Sequence, residues 1–191
     1  MARSAKKASP KAGKIAVKPR RAAVAKAKKP VRRTAARKKR VKPVPDNYPQ
    51  VNVTLRLVGA DEALKYYCHV FGGKVRMRLD MPDGRVGHSE IQVGKGLIMV
   101  SDEYPEMNMV GPITVGQVSV TLQIYVKDVD ATVTRAVKAG AKMLRPVRDE
   151  FYGDRSATIE DPFGHVWMVQ THIEDVSKKE MARRLQGLFL T

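Results

Sequence analysis

The chain has 191 residues, with 36 Lys and Arg against 19 Asp and Glu and a single cysteine. One cysteine excludes an intramolecular disulfide and fits a reducing cytoplasm, and no apolar run approaches the length of a membrane span. The formal charge of +17 is unevenly placed: Met1 to Pro45 hold 18 of the cations and no acid, leaving 18 cations against 19 acids in the rest.

Residues 1–46 form a Lys/Arg/Ala/Pro-rich arm with no aromatic residue and no spaced apolar stripe. Such a segment cannot bury enough surface to offset its chain entropy, and Pro10, Pro19, Pro30, Pro43 and Pro45 interrupt any long helix. The arm is expected to be disordered in isolation. More Lys than Arg, little serine and no apolar face argue against a transit peptide. An appendage with no acid before Asp46 and this charge suits a polyanion. Lys26, Lys28, Lys29, Arg32, Arg33, Arg37, Lys38, Lys39 and Arg40 are its densest cations and the candidate nucleic-acid contacts. With no aromatic to stack on bases and no ordered element for the major groove, binding would not depend on sequence. The composition resembles that of linker-histone tails and tailed nucleoid proteins.

From Asn47 the pattern changes. Val53, Leu55 and Leu57 alternate with polar residues as in a strand, and Ala63, Leu64, Tyr67, Val70 and Phe71 keep helical spacing up to Gly72-Gly73. Within this helix Cys68 reads as a packed small residue. Strands are predicted at 74–79, 86–93 and 97–101, with a tight turn at Gly94-Lys95. After a Pro- and Gly-bearing loop (102–117) the order repeats: strand 118–126, helix 128–139 with Val129, Val133, Ala136 and Val137 inward, strand 141–144, then a hairpin around Asp161-Pro162-Phe163-Gly164. The reading is an α+β domain (47–176) of two βαβββ modules, 50–101 and 118–172. A C-terminal helix (177–191) follows, opened by the capping box Ser177-Lys178-Lys179-Glu180. It is expected to pack or to dimerise.

The doubled module resembles the vicinal oxygen chelate superfamily, the glyoxalase and bleomycin-resistance fold. The residues that carry the likeness are Gly59 to Tyr67, Val70 to Gly73 and Glu160 to His165. Met81 to Arg85, Ser101 to Glu103 and Tyr152 to Ser156 are similar to the PhnB-like branch. The resemblance implies a ligand-binding groove between two curved sheets and single chains that often pair. In metal-dependent members it implies four ligands, one on the first and one on the last strand of each module. Counting from the turns puts those positions at Asn52, Met99, Thr121 and Met168, none of them a usual ligand for a hard divalent metal. No cofactor is therefore expected.

If the Gly94-Lys95 turn sets register, Glu90 faces Met99 and His88 faces Ser101, two residues apart on one strand and able to exchange a proton. The same register in module two sets Arg155, Ala157 and Ile159 beside Met168 and Gln170. The predicted pocket then combines Asn52, Thr54, Arg56, Met99, Ser101, Thr121, Gln123, Tyr125, Arg155, Met168 and Gln170 with His88 and Glu90. Trp167 and Val169 point away, into helix-facing core. Three functions remain open at this level. One is a metal-free small-molecule binder (sequestering or sensing) near nucleic acid, as a homodimer with no membrane contact. The others are an enzyme of the lyase, isomerase or dioxygenase kind using His88 and Glu90, and a nucleoid-associated protein whose body mainly dimerises.

Overall fold

The computed structural model describes residues 41–188, so the nine arm cations named above, and the predicted disorder of residues 1–40, lie outside the described residues. The first module runs β1 (Val53–Leu57), α1 (Ala60–Phe71), β2 (Lys74–Asp80), β3 (Val86–Val93) and β4 (Gly96–Asp102). A connector carries a 3-10 turn (Pro105–Met107) and the short α2 (Pro112–Val115). The second module runs β5 (Thr121–Tyr125), α3 (Val129–Lys138), β6 (Lys142–Asp149), β7 (Asp154–Glu160) and β8 (Val166–His172), followed by α4 (Lys178–Gly187). The two sheets have the same order, β1-β4-β3-β2 and β5-β8-β7-β6, with the first strand parallel to the last in each.

Strand alternation explains which face is buried. Leu55, Leu57, Ile91 and Val100 of the first sheet, and Ala157, Ile159, Trp167 and Val169 of the second, face the helices. The helices return their own apolar stripes: Ala63, Leu64, Tyr67, Val70 and Phe71 from α1, and Val129, Val133 and Ala136 from α3. Gly72 ends α1 in the left-handed region (φ 68°) and donates its N–H to Tyr67 O. Val137 is 42% exposed rather than inward, and α3 buries Thr132 alongside Val129, Val133 and Ala136.

One aromatic cluster joins the modules. Phe71 lies 4.7 Å and Tyr67 5.5 Å (ring centroids) from Trp167. At its rim Asp161 accepts from Tyr67 Oη and Trp167 Nε1, both at 2.8 Å, and from the backbone N–H of Phe163 and His165 at 2.9 Å. The Glu-Asp-Pro-Phe-Gly-His signature is thus a seam between modules.

Two other signatures are structural as well. Asp102 accepts from Gly59 N and Ala60 N at the start of α1 and from Val86 N on β3. Glu103, 7% exposed, accepts from Gly111 N and Thr114 Oγ1 and so pins the connector. A side chain at Gly111 would collide with Arg56 O, so the connector approaches β1 at a position only glycine allows.

Beyond the predicted 141–144, β6 continues to Asp149. Pro146 is tolerated because β6 is the sheet's outer strand and its pairing with β7 is irregular between Arg145 and Arg148.

Candidate concave ligand site

The faces of the two sheets opposite the helices hold the predicted site residues in two groups. On the first sheet, β1 contributes Asn52, just before its start, with Thr54 and Arg56. Met99 and Ser101 come from β4, and His88 and Glu90 from β3. Glu90 pairs with Met99, as the two-residue turn predicts. Across the parallel pair, Thr54 rather than Asn52 lies beside Met99, with Thr54 Oγ1 3.8 Å from Met99 Sδ. The second sheet repeats this with Gln123 beside Met168 and Tyr125 beside Gln170. Thr121 pairs with Val166 instead.

Arg155, predicted beside Gln170, belongs to the other face. It pairs with Thr171, and its guanidinium bonds Asp130 of α3 and Asp149. The cause is loop length. Glu160 pairs with Val166, so the turn holds five residues, 161–165, closed by Asp161 N donating to His165 O. A four-residue turn would have put Arg155 opposite Gln170. The extra residue shifts the register by one and turns every β7 side chain over. Ser156 and Thr158 take the places predicted for Arg155, Ala157 and Ile159; the last two are core.

Glu90 is the centre of the first group. It is 1% exposed, on a face that also carries the buried Ser101, the exposed Thr54 and the half-buried Met99, His88 and Arg56. Tyr48 Oη donates to Glu90 Oε1 at 2.5 Å, Arg76 Nε lies 3.3 Å from Oε2, and His88 Nε2 lies 3.5 Å from Oε1. Arg76 reaches inward from β2 because it is the extra residue of a bulge between Val75 and Met77. The Tyr48 hydroxyl, with smaller help from His88 and Arg76, holds the Glu90 carboxyl below the usual glutamate range despite its burial. The same bond raises the Tyr48 phenol.

Sequence reasoning missed Tyr48. Its signal was slight: it is the first aromatic residue of the chain.

The second group is hydrogen-bonded mainly within itself. Tyr125 Oη donates to Asp154 Oδ2 at 2.7 Å, and His172 Nδ1 lies 2.7 Å from Asp154 Oδ1. His172 Nε2 lies 3.0 Å from Asp175, and these two carboxylates raise the imidazole pKa. Gln123 and Thr121 are exposed, and Tyr125 is 63% exposed.

Metal donors fail the chemistry of the site in either register. Asn52 or Thr54 with Met99, and Thr121 or Gln123 with Met168, offer amide, hydroxyl and thioether atoms. Among the described residues no three His, Cys, Asp or Glu side chains are arranged to hold a metal ion. Both His172 nitrogens are already engaged. A hard divalent centre of the superfamily's kind does not fit these residues.

Residues 51–169 match the sequence profile of the Glyoxalase/Bleomycin resistance protein/Dioxygenase superfamily. The chain belongs to this superfamily. The uncharacterized protein Rv0887c of Mycobacterium tuberculosis is 30% identical over 136 residues, 70% of this chain and 80% of that protein. The solved structure of TioX from Micromonospora is 26% identical with a TM-score of 0.52, covering 66% of this chain and all of that one. The PhnB protein of Bacillus cereus shares the fold at 16% identity, with a TM-score of 0.53 over 64% of this chain and 98% of its own.

Proposed function

We propose that this superfamily member binds a small molecule on its concave surface without a metal, and that its basic arm holds it near nucleic acid. The observation that carries the binding reading is Glu90: a carboxylate 1% exposed on a strand face where Thr54 is exposed and Met99, His88 and Arg56 are half-buried. An ionised group is kept there by three polar neighbours rather than by packing. Superfamily membership supports a groove at this place but names no ligand.

Proton transfer by His88 and Glu90 is the weaker reading. Glu90 already accepts from Tyr48, and its lowered pKa makes it a poor proton acceptor near neutrality. A homodimer is part of the proposal. Val75, Met77, Leu79 and Met81 are exposed on and beside outer strand β2, as are Val118 and Val120 before β5, and pairing would cover such surface.

The test is a compound screen on the full chain by thermal shift, repeated after chelation and with each of Fe, Zn, Mn, Ni and Cu added. Ligands that raise Tm equally with and without metal, and lose the effect in Met99→Ala, uphold the reading. Binding that requires one equivalent of metal overturns it.

A further inference from the structure

Tyr48 is the one residue between Val41 and Val51 that is not exposed. Val44 and Val51 on either side are 54% and 83% exposed, so the segment is not docked by its apolar residues. It is held instead at the phenol. Tyr48 Oη donates to the buried Glu90, and the Arg76 guanidinium carbon sits 4.8 Å over the centre of the ring. Two backbone tethers complete the attachment: Arg76 Nη1 donates to Asn47 O at 3.0 Å, and Asn52 Nδ2 to Pro49 O at 2.7 Å. A segment of so few contacts opens at low cost compared with the sheet beneath it.

Building on the small-molecule reading, we infer that Tyr48 is a resident stand-in for the ligand, and that Glu90 and Arg76 form a subsite for a neutral aromatic ring bearing a hydroxyl donor. The chemistry follows from what the subsite rewards. Glu90 is ionised and buried, so an occupant must donate a hydrogen bond or leave that charge unsatisfied. Arg76 stacks on a planar π-face and disfavours a cationic occupant. A carboxylate would meet Glu90 at close range. A phenol satisfies both partners, and Tyr48 shows the arrangement is compatible with the strand geometry. Because Tyr48 is tethered a few residues from β1, its local concentration is of the millimolar order typical of short linkers, and a free ligand must compete with it.

The test uses the full chain and p-cresol, the tyrosine side chain as a free molecule, with toluene as the ring lacking the donor. Calorimetric titration of Tyr48→Ala is expected to show p-cresol binding at least tenfold tighter than wild type. Toluene should bind at least tenfold more weakly than p-cresol. Adding Glu90→Gln to Tyr48→Ala should weaken p-cresol at least fivefold. Tyr48→Phe keeps the ring and packing, so it decides the matter if the alanine variant does not fold: its p-cresol affinity should exceed wild type by at least threefold. Equal p-cresol affinity in wild type and the Tyr48 variants, or equal affinity for toluene and p-cresol, overturns the inference. So does an absence of p-cresol binding in a folded variant. If compounds of another class still bind in the screen above, that failure leaves the small-molecule reading standing. If nothing binds Tyr48→Ala or wild type, both fall.

Discussion

Asp161 accepts hydrogen bonds from two aromatic side chains that belong to different modules, so its loss orphans donors on both sides of the seam. Each buried donor left unsatisfied costs about 1–3 kcal/mol. Asp161→Ala should therefore lower stability by about 3 kcal/mol or more in urea unfolding, and Tyr67→Phe, which deletes a single hydroxyl, by about 1 kcal/mol. Similar losses would place the burden on packing instead. Glu90 gives a pH prediction. Its folded pKa is depressed, first by Tyr48, so its contribution is present above the unfolded value of about 4.3 and fades as pH falls through the folded value. Tm measured from pH 6 down to pH 3 should fall less in Glu90→Gln than in wild type; parallel curves would refute this. Glu90 facing Met99 was legible because a two-residue turn fixes register without help from the tertiary structure. Tyr48 was not, since an isolated side chain in a Pro-bounded segment has no periodicity to reveal its direction.

At the scale of elements, the two hairpins show where sequence reading reaches its limit. Gly94-Lys95 closes β3 and β4 with two residues, whereas β7 and β8 are closed by five. The Asp161 carboxylate draws the N–H of both Phe163 and His165 and carries the second turn one residue beyond the four that the sequence predicts. Nothing in the alternation of Arg155 to Glu160 records that step, so a single residue moved Arg155 from the groove to a partnership with α3. Helix starts were easier, because their chemistry is local. Ser177 accepts from Glu180 N at 3.2 Å, the first half of the capping box, while the Glu180 carboxylate turns to Arg183 and Arg184. Ser177→Ala should cost about 0.5–2 kcal/mol, confined to α4. Hydrogen exchange should quicken in 178–187 while β8 is unchanged; faster exchange in both would mean that α4 and the sheet open together.

For the molecule as a whole, the repeat was readable because each copy buries the same stripe on the same side, and that doubling alone implies two similar sheets. How the copies meet was not, since the contact runs through Tyr67, Phe71 and Trp167, which simple alternation assigns to separate helix-facing cores. The charge of the arm gives a prediction that needs no geometry. Changing its nine densest cations to Gln should flatten the salt dependence of DNA binding, with the slope of log K against log salt falling by up to about 8 at ~0.9 per phosphate neutralised. An unchanged slope would remove the arm from the interface. If the chain is a dimer, light scattering should give twice the 21.2 kDa chain mass. The titration should then show affinity falling with dilution, as two arms are lost to one.

The chain has one tryptophan, and it stands at the junction of the two modules, with its indole N–H on Asp161 and its ring against two aromatics of α1. That places a fluorescent reporter at the seam itself. Its emission colour reads whether water has entered between the halves, independently of whether each half keeps its strands. A red shift preceding the loss of far-ultraviolet ellipticity would describe halves that part while still folded; simultaneous changes would describe a single cooperative body.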